Sequence, residues 1–212
     1  MNEVKIEEYI LSHIDSEPEL LKRMTREANV RLLRPRMISG NIQGRLLKIL
    51  TSIIKPQNIL EIGTYTGYSA LCLAEGAPES SKIVTIEIDD EMESFIRKYF
   101  VESKYGHKIE LKIGDALDII QDYADDYFDL IFIDGNKRDY CAYYNAAFDK
   151  LSKGGVILAD NTLWNGKVVD EDNPIDSQTK GVLEFNKLIK ADTRIEKVIL
   201  PIRDGLTIIH KK

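Results

Sequence analysis

Asn58-Ile-Leu-Glu-Ile-Gly-Thr-Tyr-Thr-Gly-Tyr-Ser69 is the stretch on which the fold turns. An apolar run ends in an acid and a glycine, and a tight turn with a second glycine opens a helical pattern. Read physically, this is a buried strand feeding a loop that lets a ligand approach backbone amides at a helix N-terminus. A second strand-like run, Lys82-Ile-Val-Thr-Ile-Glu87, closes a strand–helix–strand unit with an acid at its end. Units of this kind hold nucleotide-like ligands.

The alternation continues outward. Strand-like runs are 58–63, 82–87, 108–113, 129–134 and 155–160, and helix-like segments 67–75, 89–105, 116–123 and 140–151 lie between them. The helix over 140–151 is expected to end at Gly154-Gly155. Leu130-Ile-Phe-Ile133 and Val156-Ile-Leu-Ala159 are wholly apolar, as strands covered by helices on both faces must be. Strands alternating with helices predict an α/β, doubly wound, mostly parallel sheet. After a helix over 178–191, strands 195–200 and 205–210 are joined by only Pro201-Ile-Arg-Asp204. That is too short for a parallel crossover, so a C-terminal antiparallel hairpin completes a seven-stranded, Rossmann-like sheet.

Three helices precede the first strand. Val4 to Ile14 carries apolar residues at helical spacing, and Ser16-Glu-Pro-Glu19 reads as a capping box with proline in the first turn of a helix running to Val30. Ile38, Ile42, Leu46, Ile49, Leu50 and Ile53 form one stripe of a third, stopped by Pro56. No linker separates them, so residues 1–212 read as one domain, with the helical segment 1–56 packed on the sheet, capping the site or mediating a homodimer. The 212 residues suffice for a substantial core. The 43% apolar and 30% charged shares fit an ordinary globular chain. No apolar run reaches a membrane span and the start lacks the features of a signal peptide. With two unpaired-looking cysteines, Cys72 and Cys141, a cytoplasmic location without membrane association is expected.

The net charge of −6 argues against broad nucleic-acid affinity, yet it hides an asymmetry. Between Leu20 and Lys48, eight bases face only Glu27, giving +7 there and −13 elsewhere. Such a segment is either a solvated helix face with a structural anion clamp or a docking patch for a polyanion.

The glycine spacing Gly63-x-x-x-Gly67 differs from the Gly-x-Gly-x-x-Gly that brings backbone against a pyrophosphate. The acids say more. Glu61 lies inside the first strand, where a buried carboxylate needs a reason. Glu87 ends the second strand, where a carboxylate can accept both ribose hydroxyls, and Asp115 ends the third within reach of an adenine amine. Acids without a phosphate loop suit a ligand with an amine, a diol and an adenine, and S-adenosylmethionine fits.

Leu60-Glu-Ile-Gly-Thr-Tyr-Thr-Gly-Tyr-Ser-Ala70, Phe132-Ile-Asp134 and Leu158-Ala-Asp-Asn-Thr-Leu-Trp164 together resemble the cation-dependent O-methyltransferases, which include catechol and caffeoyl-CoA O-methyltransferases and bacterial members. The likeness runs from Met37 to Arg203-Asp-Gly-Leu206. It implies cofactor contacts at Met37, Ser39, Glu61, Gly63, Tyr65, Ser69, Glu87, Asp115, Ala116 and Asp134. Plain core packing would otherwise explain Met37 and Tyr65.

Asp134, Asp160 and Asn161 end two strands that should be neighbours, about 4.8 Å apart, so one ion can bridge them. Adjacent carboxylates repel, and a cation relieves that repulsion. An all-oxygen set without His or Cys points to Mg²⁺ or another divalent ion such as Ca²⁺ or Mn²⁺. As a turn pair, Asp160-Asn161 would need no ion. Lys137 matches the family's base. It would take the proton of a substrate hydroxyl whose oxygen attacks the sulfonium methyl in line, with no covalent enzyme intermediate. Gly135-Asn136 departs from catechol-type relatives, which carry bulkier residues there. Trp164 and Asn165 are placed at the mouth, and Val169 to Ser177 reads as a loop or lid.

The leading expectation is thus methyl transfer to a catechol-like small molecule. A second keeps the chemistry with a tRNA acceptor: some bacterial relatives methylate 5-hydroxyuridine, and the +7 segment suits an RNA backbone. A nicotinamide-dependent oxidoreductase fits the glycine spacing and terminal hairpin poorly. A non-catalytic binding module has no use for Asp134, Asp160, Asn161 and Lys137 together.

Overall fold

The computed structural model describes residues 3–170, 172 and 174–212. Helices α1 (Glu3–His13), α2 (Glu19–Arg31) and α3 (Gly40–Ile54) lead into β1 (Asn58–Ile62), α4 (Tyr68–Gly76), β2 (Lys82–Glu87), α5 (Glu93–Glu102) and β3 (Ile109–Ile113). Next come α6 (Ala116–Ile119), β4 (Phe128–Ile133), α7 (Tyr140–Lys150), β5 (Leu151–Ala159), α8 (Ser177–Ala191), β6 (Ile195–Leu200) and β7 (Leu206–Lys211). The strands form one sheet in the order β3-β2-β1-β4-β5-β7-β6. Its first five strands run parallel, and β7 pairs antiparallel with both β5 and β6. This is the doubly wound sheet with a terminal hairpin that the alternating pattern predicts.

Two apolar layers flank the sheet. One packs Met24 of α2, Leu47 of α3, α4 and α5 against Ile59, Phe132 and Leu158. The other packs Tyr140, Tyr144 and Phe148 of α7 and Phe185 of α8 against Ile131, Ile133 and Ile157. The strand order reverses between β1 and β4, and at that switch point the carboxyl ends of parallel strands open a crevice. Asp134 N–H donates to Ile62 O (2.8 Å) and Asp160 N–H to Ile133 O (3.0 Å), so the residues after β1, β4 and β5 are held side by side.

Several local expectations are corrected. Helix α2 begins only at Glu19, after Pro18, whose side chain cannot cap, and Glu19 pairs with Lys22 (2.7 Å), so no capping box forms. The apolar stripe is only partly buried: Ile38, Leu46 and Leu50 pack into the core and Ile49 and Ile53 are exposed, while Gln43, Gly44, Arg45, Leu47 and Thr51 of α3 are buried. The reason is close approach to α4. A Cβ on Gly44 would meet Cys72 Sγ at 2.8 Å, and one on Gly76 would meet Lys48 O at 2.1 Å. Small residues and a paired Arg45–Glu75 (2.7 Å) make this interface, and an apolar count cannot see them. Helix α7 ends at Lys150 because β5 already begins at Leu151, with Gly154-Gly155 inside a register slip rather than at a helix end. The segment 164–169 is a 3-10 turn and Asp176 caps α8 through Thr179 N–H (2.7 Å), so the expected loop is shorter than read; Glu171 and Asn173 within it lie outside the described residues. Among the described residues no helix is long and apolar enough to cross a membrane. Cys72 and Cys141 are both free thiols.

Candidate functional site

A cavity of about 1180 Å³ opens at the switch point. This exceeds the roughly 300–1,000 Å³ of ordinary small-molecule sites, enough for a donor and an acceptor together. Met37, Ser39, Gly63, Tyr65, Ser69, Glu87, Asp115, Ala116, Asp134, Lys137, Asp160 and Asn161 all line it. Glu61 lies just beneath, fully buried. The sequence-derived residues are therefore brought together, although they span more than a hundred positions.

The glycine turn is shaped by its own chain. Gly63 and Gly67 take φ +98° and +83°; a Cβ on the first would strike Asp134 O at 2.5 Å, and on the second the Phe100 ring at 2.5 Å. Gly67 is also the residue before α4, so the turn presents that helix's first amides toward the cavity. Tyr65, at φ +50°, donates its N–H to Glu87 Oε2 (2.6 Å), and Asp89 N–H reaches Oε1 (3.0 Å). Each oxygen keeps a second lone pair for a ligand diol. Asp115 spends Oδ1 on Leu117 N–H (2.8 Å) as the cap of α6 and stays exposed. The Tyr65 hydroxyl donates to Arg34 O (2.9 Å), which fastens the segment carrying Met37 over the turn.

Glu61 Oε2 accepts from Thr85 Oγ1 (2.5 Å), which in turn pairs with Thr64 Oγ1 (2.6 Å), while Oε1 is buried without a partner. Burial pushes the Glu61 carboxyl up to about 8. With Glu87 and Asp115 in the cavity wall and Glu61 beneath it, the residues present fit a ligand that carries a diol and amines, as a sulfonium nucleoside does. A pH dependence follows. The folded chain holds the Glu61 proton more tightly than the unfolded chain, whose carboxyl titrates near 4.5. That stabilisation is complete below this value and lost as pH rises through 8. Ligand-free protein should therefore melt at lower temperature at pH 8.5 than at pH 5.5, and Glu61→Gln should flatten most of the decline; thermal melts at the two pH values check this.

At the other wall, Lys137 is 6% exposed, and its ammonium donates to Asp134 Oδ1 (2.8 Å), the Tyr140 hydroxyl (2.7 Å) and Gly135 O (3.2 Å). Tyr140 is fully buried and bonds to Asp160 O (2.9 Å); burial, with Asp134 and Asp160 adding to it, holds its hydroxyl protonated. The turn carrying Lys137 is pressed by α8, where a Cβ on Gly181 would meet Lys137 O at 2.2 Å. Gly135 has no room for a side chain either, because the Tyr143 ring lies 2.9 Å from its would-be Cβ. The Tyr143 ring, which also lines the cavity, occupies the space beside Gly135. Trp164 lines the cavity; Asn165 is exposed and does not.

Asp160 is buried, with Oδ1 accepting from Asn161 N–H (2.8 Å) and Oδ2 from Gln43 Nε2 (2.7 Å). Burial first and neighbouring Asp134 second push its carboxyl upward. Two carboxyls that repel at the buried end of adjacent strands, beside the amide of Asn161, are a hard-oxygen donor set that a divalent cation fits. Among the described residues there is no cluster of three or more His, Cys, Asp or Glu suited to a metal, and an ion held here would have two carboxylates and an amide as its protein donors. Gln43, Tyr140 and Arg203 were not read from the sequence. Tyr140, one helical turn beyond Lys137, was the detectable one.

Comparison with known proteins places this geometry. The O-methyltransferase family model matches residues 11–212. Caffeoyl-CoA O-methyltransferase 5 of Nicotiana tabacum is 35% identical, across 96% of this chain and 90% of that protein. Caffeoyl-CoA O-methyltransferase 1 of Arabidopsis thaliana is also 35% identical, across 96% and 83%. Among solved structures, the O-methyltransferase TomG of Streptomyces achromogenes in complex with S-adenosylmethionine superposes with a TM-score of 0.89 at 28% identity, covering 98% of this chain and 96% of that one. The S-adenosylhomocysteine-bound Podospora anserina methyltransferase PaMTH1 gives 0.91 at 29%, covering 100% and 97%. With the glycine turn, the buried acid and the switch-point cavity already in view, these matches show that the chain belongs to the O-methyltransferase family, as an S-adenosylmethionine-dependent enzyme of the caffeoyl-CoA O-methyltransferase type.

Proposed function

We infer that the enzyme methylates a hydroxyl on a metal-chelating, catechol-like acceptor, with Asp134, Asp160 and Asn161 holding a divalent cation and Lys137 as base. The observation that carries this reading is the single cavity in which both carboxyls, the amide and the lysine stand together with Glu87 and Tyr65. A cation held there supplies positive charge that favours an ionised acceptor hydroxyl. Lys137 Nζ, in its neutral form, takes the hydroxyl proton. The acceptor oxygen then bonds to the methyl carbon as the carbon–sulfur bond breaks, and its electron pair stays on sulfur as a thioether. Tyr140 holds Lys137 in place, and the surrounding walls exclude water from the reacting pair.

A second reading, a tRNA 5-hydroxyuridine acceptor, is favoured by one observation: Arg31, Arg34 and Arg36 line the cavity. Arg31 is itself paired with Glu27 (2.6 Å), as Lys22 is with Glu19, Arg23 with Glu102 and Arg45 with Glu75, which leaves Arg34 and Arg36 as the bases the test addresses. Labelled methyl transfer to a catechol and to total tRNA from a strain lacking the enzyme separates the two. Transfer to the catechol alone supports the small-molecule acceptor. Transfer to the deletion tRNA but not to wild-type tRNA, reduced about tenfold or more by Arg34→Glu/Arg36→Glu, would replace it with the RNA acceptor.

A further inference from the structure

Gln43 is 2% exposed, on the α3 face that the apolar pattern left unread. Its Nε2 donates to Asp160 Oδ2 (2.7 Å), and its Oε1 accepts from Arg203 Nη1 (3.2 Å). The same Arg203 nitrogen donates to Ile38 O (3.0 Å), between Met37 and Ser39. Arg203 sits in the turn between β6 and β7 at φ +51°, a left-handed conformation that a non-glycine residue adopts only when its surroundings hold it there. Three distant segments thus converge on one carboxylate.

The chemistry of the chain of bonds fixes its direction. A guanidinium only donates, so it can meet only the carbonyl oxygen of the Gln43 amide. The amide nitrogen is then turned toward Asp160 and cannot flip away without breaking both contacts. Asn161 N–H fixes the other carboxylate oxygen (2.8 Å), so the Asp160 plane is defined at both ends.

We propose that Gln43 and Arg203 are positioning residues acting in series, holding the Asp160 carboxylate in the one orientation that binds a divalent cation. The proposal rests on the cation reading above. Arg203 carries a second duty through Ile38 O, steadying the segment that contacts the cofactor, whereas Gln43 does not.

The test is Mn²⁺ binding to the full-length protein, read as free Mn²⁺ by electron paramagnetic resonance, with S-adenosylhomocysteine affinity and thermal midpoint measured in parallel. Gln43→Met keeps the side-chain volume and removes the amide; it should weaken Mn²⁺ binding about tenfold or more, as loss of groups that orient metal ligands does, with cofactor affinity unchanged within about twofold. Arg203→Met should weaken both ligands. Because the two residues act in series, the double variant should bind Mn²⁺ no worse than about twofold below Gln43→Met, rather than showing the product of the two losses. Wild-type affinity in Gln43→Met, or multiplicative losses in the double variant, would overturn the relay while leaving the cation reading intact. Absence of saturable Mn²⁺ binding by the wild-type protein would overturn both. Should Gln43→Met fail to fold, Arg203→Met, whose side chain reaches the cavity surface, decides the question through the same Mn²⁺ measurement.

Discussion

Lys137→Ala is expected to lower turnover by about 10²–10⁴, the usual contribution of a positioned general base, while S-adenosylhomocysteine affinity stays within about twofold. The lysine bonds to Asp134, Gly135 and Tyr140 and makes no bond to Glu87, so removing it should touch the chemistry more than cofactor binding. Its loss also strips partners from Asp134 and Tyr140, and reduced folding could mimic reduced catalysis. Lys137→Arg resolves this. Arginine preserves the charge and can donate to the same oxygens, yet it does not deprotonate under ordinary conditions. A folded, cofactor-binding and inactive arginine variant identifies proton transfer as the function of Lys137. Single-turnover methyl transfer is the measurement, and an arginine variant within tenfold of wild type would remove lysine as base.

Chelation should have an equally large effect. EDTA is expected to suppress methyl transfer by at least about 10², and Mg²⁺ to restore it, because two repelling carboxyls bind an acceptor hydroxyl poorly without a cation between them. Asp160→Asn gives the sharper version. It removes one of two neighbouring like charges but sets an amide NH2 against one of the two donors that hold the carboxylate, so the opposing effects should leave the ligand-free variant melting close to wild type. Activity should fall by the same factor as with EDTA. Functional sites commonly set stability against activity in this way. An EDTA-insensitive wild-type enzyme would remove the cation, and a strongly destabilised Asp160→Asn would remove the account of its charge.

The sheet was legible because β4 and β5 are apolar on both faces and a five-residue link can join β6 to β7 only as a hairpin. The positions of Asp134 and Asp160 followed from the same logic, since register places the residues after Ile133 and Ala159 together. What stayed hidden was polar and long-range. Gln43 faces Asp160 across 117 residues, and hydrophobic periodicity cannot register an amide aimed inward. The α3 stripe held at Ile38, Leu46 and Leu50 and failed at Ile49 and Ile53 for a related reason: Gly44 and Gly76 set the helix contact by what they lack. At Ser16–Glu19 the motif spacing was right, but the helix begins only after Pro18 and Glu19 turns to Lys22, so Ser16 has no first turn to cap.

The turn after β6 does more than close a hairpin. Thr162 N–H donates to Gly205 O (3.0 Å), and Leu163 N–H (2.7 Å) and Trp164 N–H (3.1 Å) donate to Asp204 O. The loop that begins with Asn161 therefore hangs from residues synthesised some forty positions later. During translation, the cofactor cradle and both carboxyls are all polymerised before the hooks for that loop exist. A nascent chain halted short of Asp204 would possess the residues to recognise the methyl donor and lack the means to finish the place where the methyl goes.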